Sequence, residues 1–491
     1  MNKGKIFVKN DYPTKIISVQ LSELLYLCFW GLMLFAKGIG LYDGQPFYKL
    51  FLVAAFLCIA VKMCIVEYSP RELLVILLLM VWSAVVYLIS GEKGVLICTV
   101  TVVTMKKVSV KRAFQVGLIV WLTAMGGRFL LSLMYIDGVE TAVQTKNITG
   151  AVLRYFMGYP HPNVLHISYL TLVALTIYCA KQIYSWKHFW ILTVGNIFLF
   201  FYTYSFTGVG IVTLYLCLSL YVKKRRIGKT EYFTVKMLFP FCVLFSIVLP
   251  SVLRGKAFEF ADKVFNNRIN FAKHFLTIDN LSLLGNNLAE ITTDIIAMDN
   301  SYVFALVIYG VPVFILMCIG YMCIILSYIR QKKNMELVMI CCFLIAGITE
   351  PFLFNTSFKN LTLLFVGEFF CMALSKNNKD EKKVAVLKNR DKNIDISINW
   401  IWNIGKQIRY LWKIHKRMTI GCGGILAFMI SIGCGVLYQA RESVLEVQKD
   451  NLLFFERVRV MITVFLLSFI VIGIAINIWY WITEKESHRR N

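Results

Sequence analysis

Apolar runs close to the length that crosses a hydrocarbon core, roughly 17–25 residues, recur almost from end to end of this chain and are separated by short polar breaks. With 58% of its 491 residues hydrophobic, the chain has little left from which to build a soluble domain. The expected fold is an all-α polytopic integral membrane protein of about 14 transmembrane helices.

The formal charge of +24 would suggest nucleic acid in a soluble protein. Here the cations cluster in the breaks: Lys106 to Arg112, Lys223 to Lys229, Arg330 to Lys333 and the stretch from Lys376 to Arg417. Such blocks mark cytoplasmic loops, so nucleic-acid binding is set aside. Lys3, Lys5, Lys9 and Lys15 put the N-terminus inside as well, and the run from Leu21 to Gly40 lacks a small-residue cleavage site, which makes it an uncleaved first helix. All fourteen cysteines lie in apolar runs, where free Cys acts as a small hydrophobe, and no metal or disulfide spacing is visible.

Placing helices under the charge rule gives spans near 21–40, 47–67, 72–90, 93–106 and 113–135, an outer segment over 136–162, and a sixth span near 163–183. The run from Trp190 to Val222 would overshoot a core of about 30 Å as one helix, so it is expected to break at Ser205-Phe206-Thr207-Gly208. A ninth helix ends at Pro250. The longest external loop, 251–299, follows, with short amphipathic helices expected in it. Spans near 300–328, 335–350 and 361–375 complete a membrane-embedded domain over 1–375, with Glu350, Pro351, Asn355 and Lys359 in a short outer turn. Residues 376–418 read as a basic cytoplasmic linker whose Ile398–Ile414 part, with Trp400, Trp402 and Trp412, lies on the inner surface. Residues 419–491 form a transmembrane hairpin and a basic tail. No internal repeat is seen.

Three places hold chemistry-bearing residues. Arg154-Tyr-Phe-Met-Gly-Tyr-Pro-His-Pro-Asn163 has two prolines that force extended backbone on the residues before them, presenting His161 and Asn163 at the membrane boundary. The bland alternative is a prolyl helix entry with an interfacial His. The large loop carries Arg254, Arg268, Lys273, His274, Asp279 and Asp294, then Leu284-Gly-Asn-Asn287, then Asp299-Asn300-Ser301-Tyr302 at a helix start. Guanidinium groups there suit a phosphate, while any one of these residues alone is more often a solvated loop charge. Within the spans, Arg128 and Glu368 either pair with each other or, for Arg128, serve a second phosphate. Asp43, in the first outer turn, is either an acid of the site or a turn residue before Gly44.

Taken in order, the Gly-Tyr-Pro-His-Pro-Asn helix entry, the Ser-x-Thr-Gly break, the Arg-bearing loop, the Leu-Gly-Asn turn and the Asp-Asn-Ser-Tyr start resemble the O-antigen polymerase and ligase superfamily, of the Wzy type, from about Arg154 to Tyr309. The resemblance implies a metal-independent glycosyltransferase without cofactors, moving glycan from a polyprenyl diphosphate onto another lipid-linked unit at the outer face of a bacterial cytoplasmic membrane. It also implies that Arg154, Arg268 and Arg254 hold the diphosphate. Arg128, Asn163, His274, Asn300 and Tyr302 are candidate further substrate contacts from their own positions. Where many relatives have His-Asn at the second helix start, this chain reads Asp299-Asn300.

The reaction asks for cations on a departing diphosphate and a group to take the proton of the attacking hydroxyl. Asp299 and His161 are the candidate bases; Asp299 is preferred, and its plain alternative is a helix N-cap. Expected partners are the lipid-linked oligosaccharide, membrane lipids and a chain-length regulator or flippase. The rivals are a ligase, which uses another acceptor, and a flippase, which would need ionisable residues along a path through the bundle.

Overall fold

The computed structural model describes residues 16–135, 138–146, 150–265, 267–291, 298–376, 385–387, 390–397, 419–438 and 450–490. The tryptophan-bearing segment Ile398–Ile414, Asp294 and the N-terminal lysines lie outside the described residues. Contacts divide the chain into one unit of Ser22–Thr145 with Val152–Arg390 and another of Met1–Leu21, Lys146–Ala151 and Asp391–Asn491. Among the described residues, ten helices are long and apolar enough to cross a membrane, and three shorter apolar helices accompany them. The chain is an all-α polytopic membrane protein, as expected.

A short strand β1 (Ile16–Gln20) runs into α1 (Leu21–Gly38), followed by α2 (Pro46–Ile65), α3 (Pro70–Ser90), α4 (Gly94–Val103) and α5 (Val110–Met134). Local sequence sets these ends. Ser69 caps α3 in a reciprocal capping box with Glu72, Pro70 occupies its first turn, and Gly91 closes it in a left-handed conformation. Buried or half-buried ion pairs tie the helices together at the end that bears the basic breaks. Arg112 Nε donates to Glu23 Oε1 at 2.7 Å, Lys106 meets Glu72 at 2.5 Å, and Lys181 meets Glu336 at 2.7 Å.

At the other end of the unit the 136–162 segment contains β2 (Thr141–Lys146) and β3 (Gly150–Tyr155), paired in a two-stranded sheet. α6 (Pro162–Cys179), α7 (Trp186–Thr203), α8 (Phe206–Lys224) and α9 (Lys229–Val252) follow. The break between α7 and α8 falls where the hydroxyls and glycine predict it: Tyr204 is left-handed, and Ser205 Oγ accepts from the Gly208 amide at 3.3 Å. Gly208 has a second duty, because a Cβ there would lie 2.6 Å from the His166 ring. His166 is fully buried and bridges Asn196 at 2.8 Å and Thr203 at 2.9 Å, so it fastens α6 to α7.

The large loop forms α10 (Gly255–Val264), α11 (Arg268–Phe275) and α12 (Leu288–Ile291). The apolar run beyond it was expected as one helix near 300–328. It is two: α13 (Ser301–Ile308) and α14 (Val311–Arg330), parted at Gly310. The cause is tertiary. Gly310 and Gly285 both have positive φ, and a Cβ on Gly310 would lie 2.7–2.8 Å from the Leu283–Gly285 backbone. Asn286 Nδ2 donates to the carbonyl of Val307, and Ser282 O accepts from the Val311 amide. The Leu-Gly-Asn turn therefore caps a short buried helix. Gly285→Ala is expected to cost about 1–2 kcal/mol in left-handed backbone alone, with a further loss from collision with the Ile308 carbonyl. A thermal melt in detergent checks it as a clear fall in Tm. α15 (Asn334–Ala346) and α16 (Leu363–Lys376) close the unit.

In the other unit β1 pairs antiparallel with β4 (Asn393–Ser397), Ile16 opposite Ser397. α17 (Thr419–Leu437) packs antiparallel on α18 (Asp450–Arg490): Ser431 Oγ donates to Met461 O at 2.6 Å, and Asn477 Nδ2 meets Thr419 at 3.5 Å. A buried Glu456–Arg459 pair at 2.8 Å lies within α18.

Candidate functional site

Three non-adjacent segments bring charge together at the end of the larger unit that carries β2 and β3. Arg154 arrives on β3, buried to 4% exposure. Its Nε donates to the carbonyl of Thr203 at the end of α7 (2.6 Å), Nη1 to Gln144 Oε1 on β2 (2.7 Å) and Nη2 to Asn163 Oδ1 on the first turn of α6 (2.5 Å). Arg268 is the first residue of α11, whose Ile269, Ala272 and Phe275 form the buried face that fixes the helix. Its Nη2 donates to Glu350 Oε1 at 3.2 Å, and its Nε lies 3.5 Å from Asp299 Oδ2. Asn163 Nδ2 donates to the same Glu350 oxygen at 3.0 Å. The chain of contacts is thus Arg154, Asn163, Glu350, Arg268, Asp299.

Helix α13 holds the acidic members in place. Asn300 caps it, accepting from the amides of Tyr302 and Val303, while its Nδ2 donates to Ser246 and to Ile348 O. Ser301 Oγ donates to the carbonyl of Glu350 at 2.6 Å, and the Ser301 amide donates to Gly347 O. Tyr302 is fully buried and donates to Leu344 O. Asn300 and Tyr302, expected as substrate contacts, therefore spend their polar groups on packing α13 against the end of α15. The helix cap is Asn300 and not Asp299, which leaves the Asp299 carboxylate facing Arg268.

Burial pushes Glu350 up to about 7, against the pull of Arg268, Lys359 and Arg154 and with Asp299 adding to the rise. Burial likewise lowers Lys359 to about 7 and Arg154 to about 10. Asp299 is raised by burial in spite of Arg268. Lys359 Nζ donates to Val164 O at 3.0 Å and stands over the Tyr159 ring. Arg268 Nε is buried and faces Asp299 as an ion pair, too long and bent for a good hydrogen bond.

Comparison of the chain with protein-family models, curated proteins and solved structures finds no match. The site must be read from its own geometry.

Of the residues expected from sequence, Arg154, Asn163, Arg268 and Asp299 come together. His161 is exposed and caps α6 through Nδ1, accepting from the Asn163 amide at 3.2 Å, its extended backbone as the flanking prolines require. Arg254 and His274 are exposed and outside the cluster: Arg254 Nη1 donates to Leu253 O, and His274 stacks edge-on against Phe275. Of the two alternatives for Arg128 and Glu368, the pairing with each other is not formed. Glu368 instead accepts from Tyr328 at 3.2 Å and lies 3.7 Å from Lys333, at the basic end. Asp43 is neutralised by Lys93, with both oxygens within 2.9 Å of its Nζ. Gln144, Glu350 and Lys359 were not selected from sequence. The only signal for Glu350 was a carboxylate beside proline in a short turn.

Proposed function

We propose that this chain is a polysaccharide polymerase that transfers glycan from a polyprenyl diphosphate carrier to a sugar hydroxyl of another lipid-linked unit, at the outer face of a bacterial cytoplasmic membrane. The observation that carries the reading is a buried carboxylate, Glu350, bonded directly to Arg268 and linked through Asn163 to Arg154 of a distant segment. A diphosphate leaving group needs fixed positive charge as it departs. A sugar hydroxyl needs a base poised near neutrality as it attacks.

In this reading Arg268 binds the diphosphate through its fork of donors. Arg154, with three nitrogens already engaged by protein, is a positioning residue that sets Asn163 and through it Glu350. Glu350 replaces Asp299 as the preferred base, because it is the more deeply buried and is raised into the working range. The acceptor oxygen bonds to the anomeric carbon, the bond from that carbon to the diphosphate oxygen breaks, the diphosphate takes the electron pair, and the hydroxyl proton passes to Glu350. The polar cluster sits at one end of the bundle, which favours a transferase over a flippase with a polar path through it.

The test is to supply purified protein in liposomes with a lipid-linked repeat unit and separate the products. A ladder of longer lipid-linked glycans is expected. Glycan moved once to a different acceptor makes the chain a ligase, and unaltered substrate on the opposite leaflet makes it a flippase.

A further inference from the structure

A second place in the larger unit has the makings of a binding site. Between the ends of α1 and α5, the start of α2 and the segments 138–140 and 156–160 lies a cavity of about 1130 Å³. That exceeds the roughly 300–1,000 Å³ of a drug-sized site. One cation stands in it: Arg128, exposed near the end of α5, which among the described residues makes no ion pair and no side-chain hydrogen bond.

Its presentation is built into the backbone. Gly158 is left-handed, and a Cβ there would fall inside the Arg128 guanidinium, so only glycine lets the cation lie against this turn. The turn is in turn fixed to α1, where Tyr159 Oη donates to Gly38 O at 2.6 Å and Gly40 packs on the Gly158 carbonyl. The rest of the wall is of two kinds. Gln45 and Glu140 with the exposed rings of Tyr42 and Tyr135 offer the hydrogen bonds and flat apolar faces that suit sugar rings. Phe35 and Leu131, both exposed, continue the cavity onto the apolar flank of the bundle. The Phe156–Asn163 segment separates this cavity from the Glu350 cluster: Phe156 and Tyr159 line the cavity, and Asn163 holds Glu350.

We propose that this cavity holds a second, phosphate-bearing glycolipid, with the phosphate on Arg128, the sugars against Tyr42, Tyr135 and Gln45, and the hydrocarbon chain along Phe35 and Leu131. Its role as the acceptor rests on the transfer reading above; the binding itself does not. From Arg128 the sugars lead over the lip made by Phe156 and His161, whose rings meet edge-on, toward Glu350.

Native mass spectrometry of the full chain in detergent, titrated with a polyprenyl diphosphate carrying a single N-acetylglucosamine, counts the bound molecules. The wild type is expected to bind two. Arg128→Ala is expected to weaken one of them at least tenfold and Arg268→Ala the other, each variant eluting as the wild type does in size exclusion. Arg128→Ala holding two at unchanged affinity overturns the proposal. Displacement of the second molecule by an equal concentration of phosphatidylglycerol overturns it also, since the cavity would then be ordinary lipid annulus. In the liposome assay, a ladder with the acceptor KM unchanged in Arg128→Ala sinks this site and spares the transferase. Two bound glycolipids without any ladder sink the transferase and spare the site.

Discussion

Replacing Arg268 with alanine is expected to stop chain growth, with the rate of transfer falling about 10²–10³-fold, the loss typical when one donor to a developing anion is removed. Single lipid-linked units should then accumulate, counted by gel or mass spectrometry of the extracted lipid. Arg268→Lys should recover little, because an ammonium cannot hold Glu350 and a phosphate at once as a planar fork does. Arg154→Lys should behave differently. Arg154 binds three protein oxygens from three elements, so its loss is expected to lower Tm together with the rate, whereas Arg268→Ala should leave the fold closer to intact. A polymer of normal length from Arg268→Ala would remove the diphosphate role.

The second large effect concerns Glu350. Glu350→Gln keeps the shape and removes the base, and kcat is expected to fall about 10²–10⁴-fold. The pH profile separates a base from a merely structural carboxylate. Glu350 is raised to about 7, so the active, ionised form gains population as pH rises and kcat should climb to a plateau above about 7. In Glu350→Gln the remaining rate should be flat across that range. Lys359 pulls Glu350 down, so Lys359→Met should move the rising limb to higher pH. Movement to lower pH would contradict the assignment. The stability sign is opposite. Between the ordinary carboxylate value of 4.5 and about 7 the folded state binds more protons than the unfolded one. The Glu350 contribution therefore falls as pH rises through that window, and the base is ionised at a cost to the fold.

Much of the architecture was legible because bilayer thickness acts on the sequence directly. Run length, basic breaks and the hydroxyl-glycine pair at Ser205–Gly208 gave helices close to those observed. The break at Gly310 was not legible. The residues on both sides are apolar, and what stops the helix is Gly285, a partner in another segment. The pairing of β2 with β3 was not legible although their residues favour a sheet, since a short polar gap between two spans carries no periodicity of its own.

At the site, Arg154, Arg268, Asn163 and Asp299 could be selected by residue type and position. Glu350 could not be weighed, because its chemistry comes from burial between partners far along the chain, and a lone Glu before Pro carries no trace of them. Asn300 and Tyr302 show the converse error, in which polar residues of a suggestive motif turn out to serve a helix end. Depth in the spans offers a pairing of Arg128 with Glu368 as one alternative, and the two belong to opposite ends of the bundle.

Helices α4 and α13 are ten and eight residues long, so each reaches only about half-way through a hydrocarbon layer at roughly 1.5 Å per residue. The Arg268 and Glu350 side chains are 14% and 10% exposed, and salt screens such a pair far less than one on the open surface, so raising the salt concentration should do little to loosen their grip. An anion entering beside that pair must share the Arg268 guanidinium with the carboxylate already there.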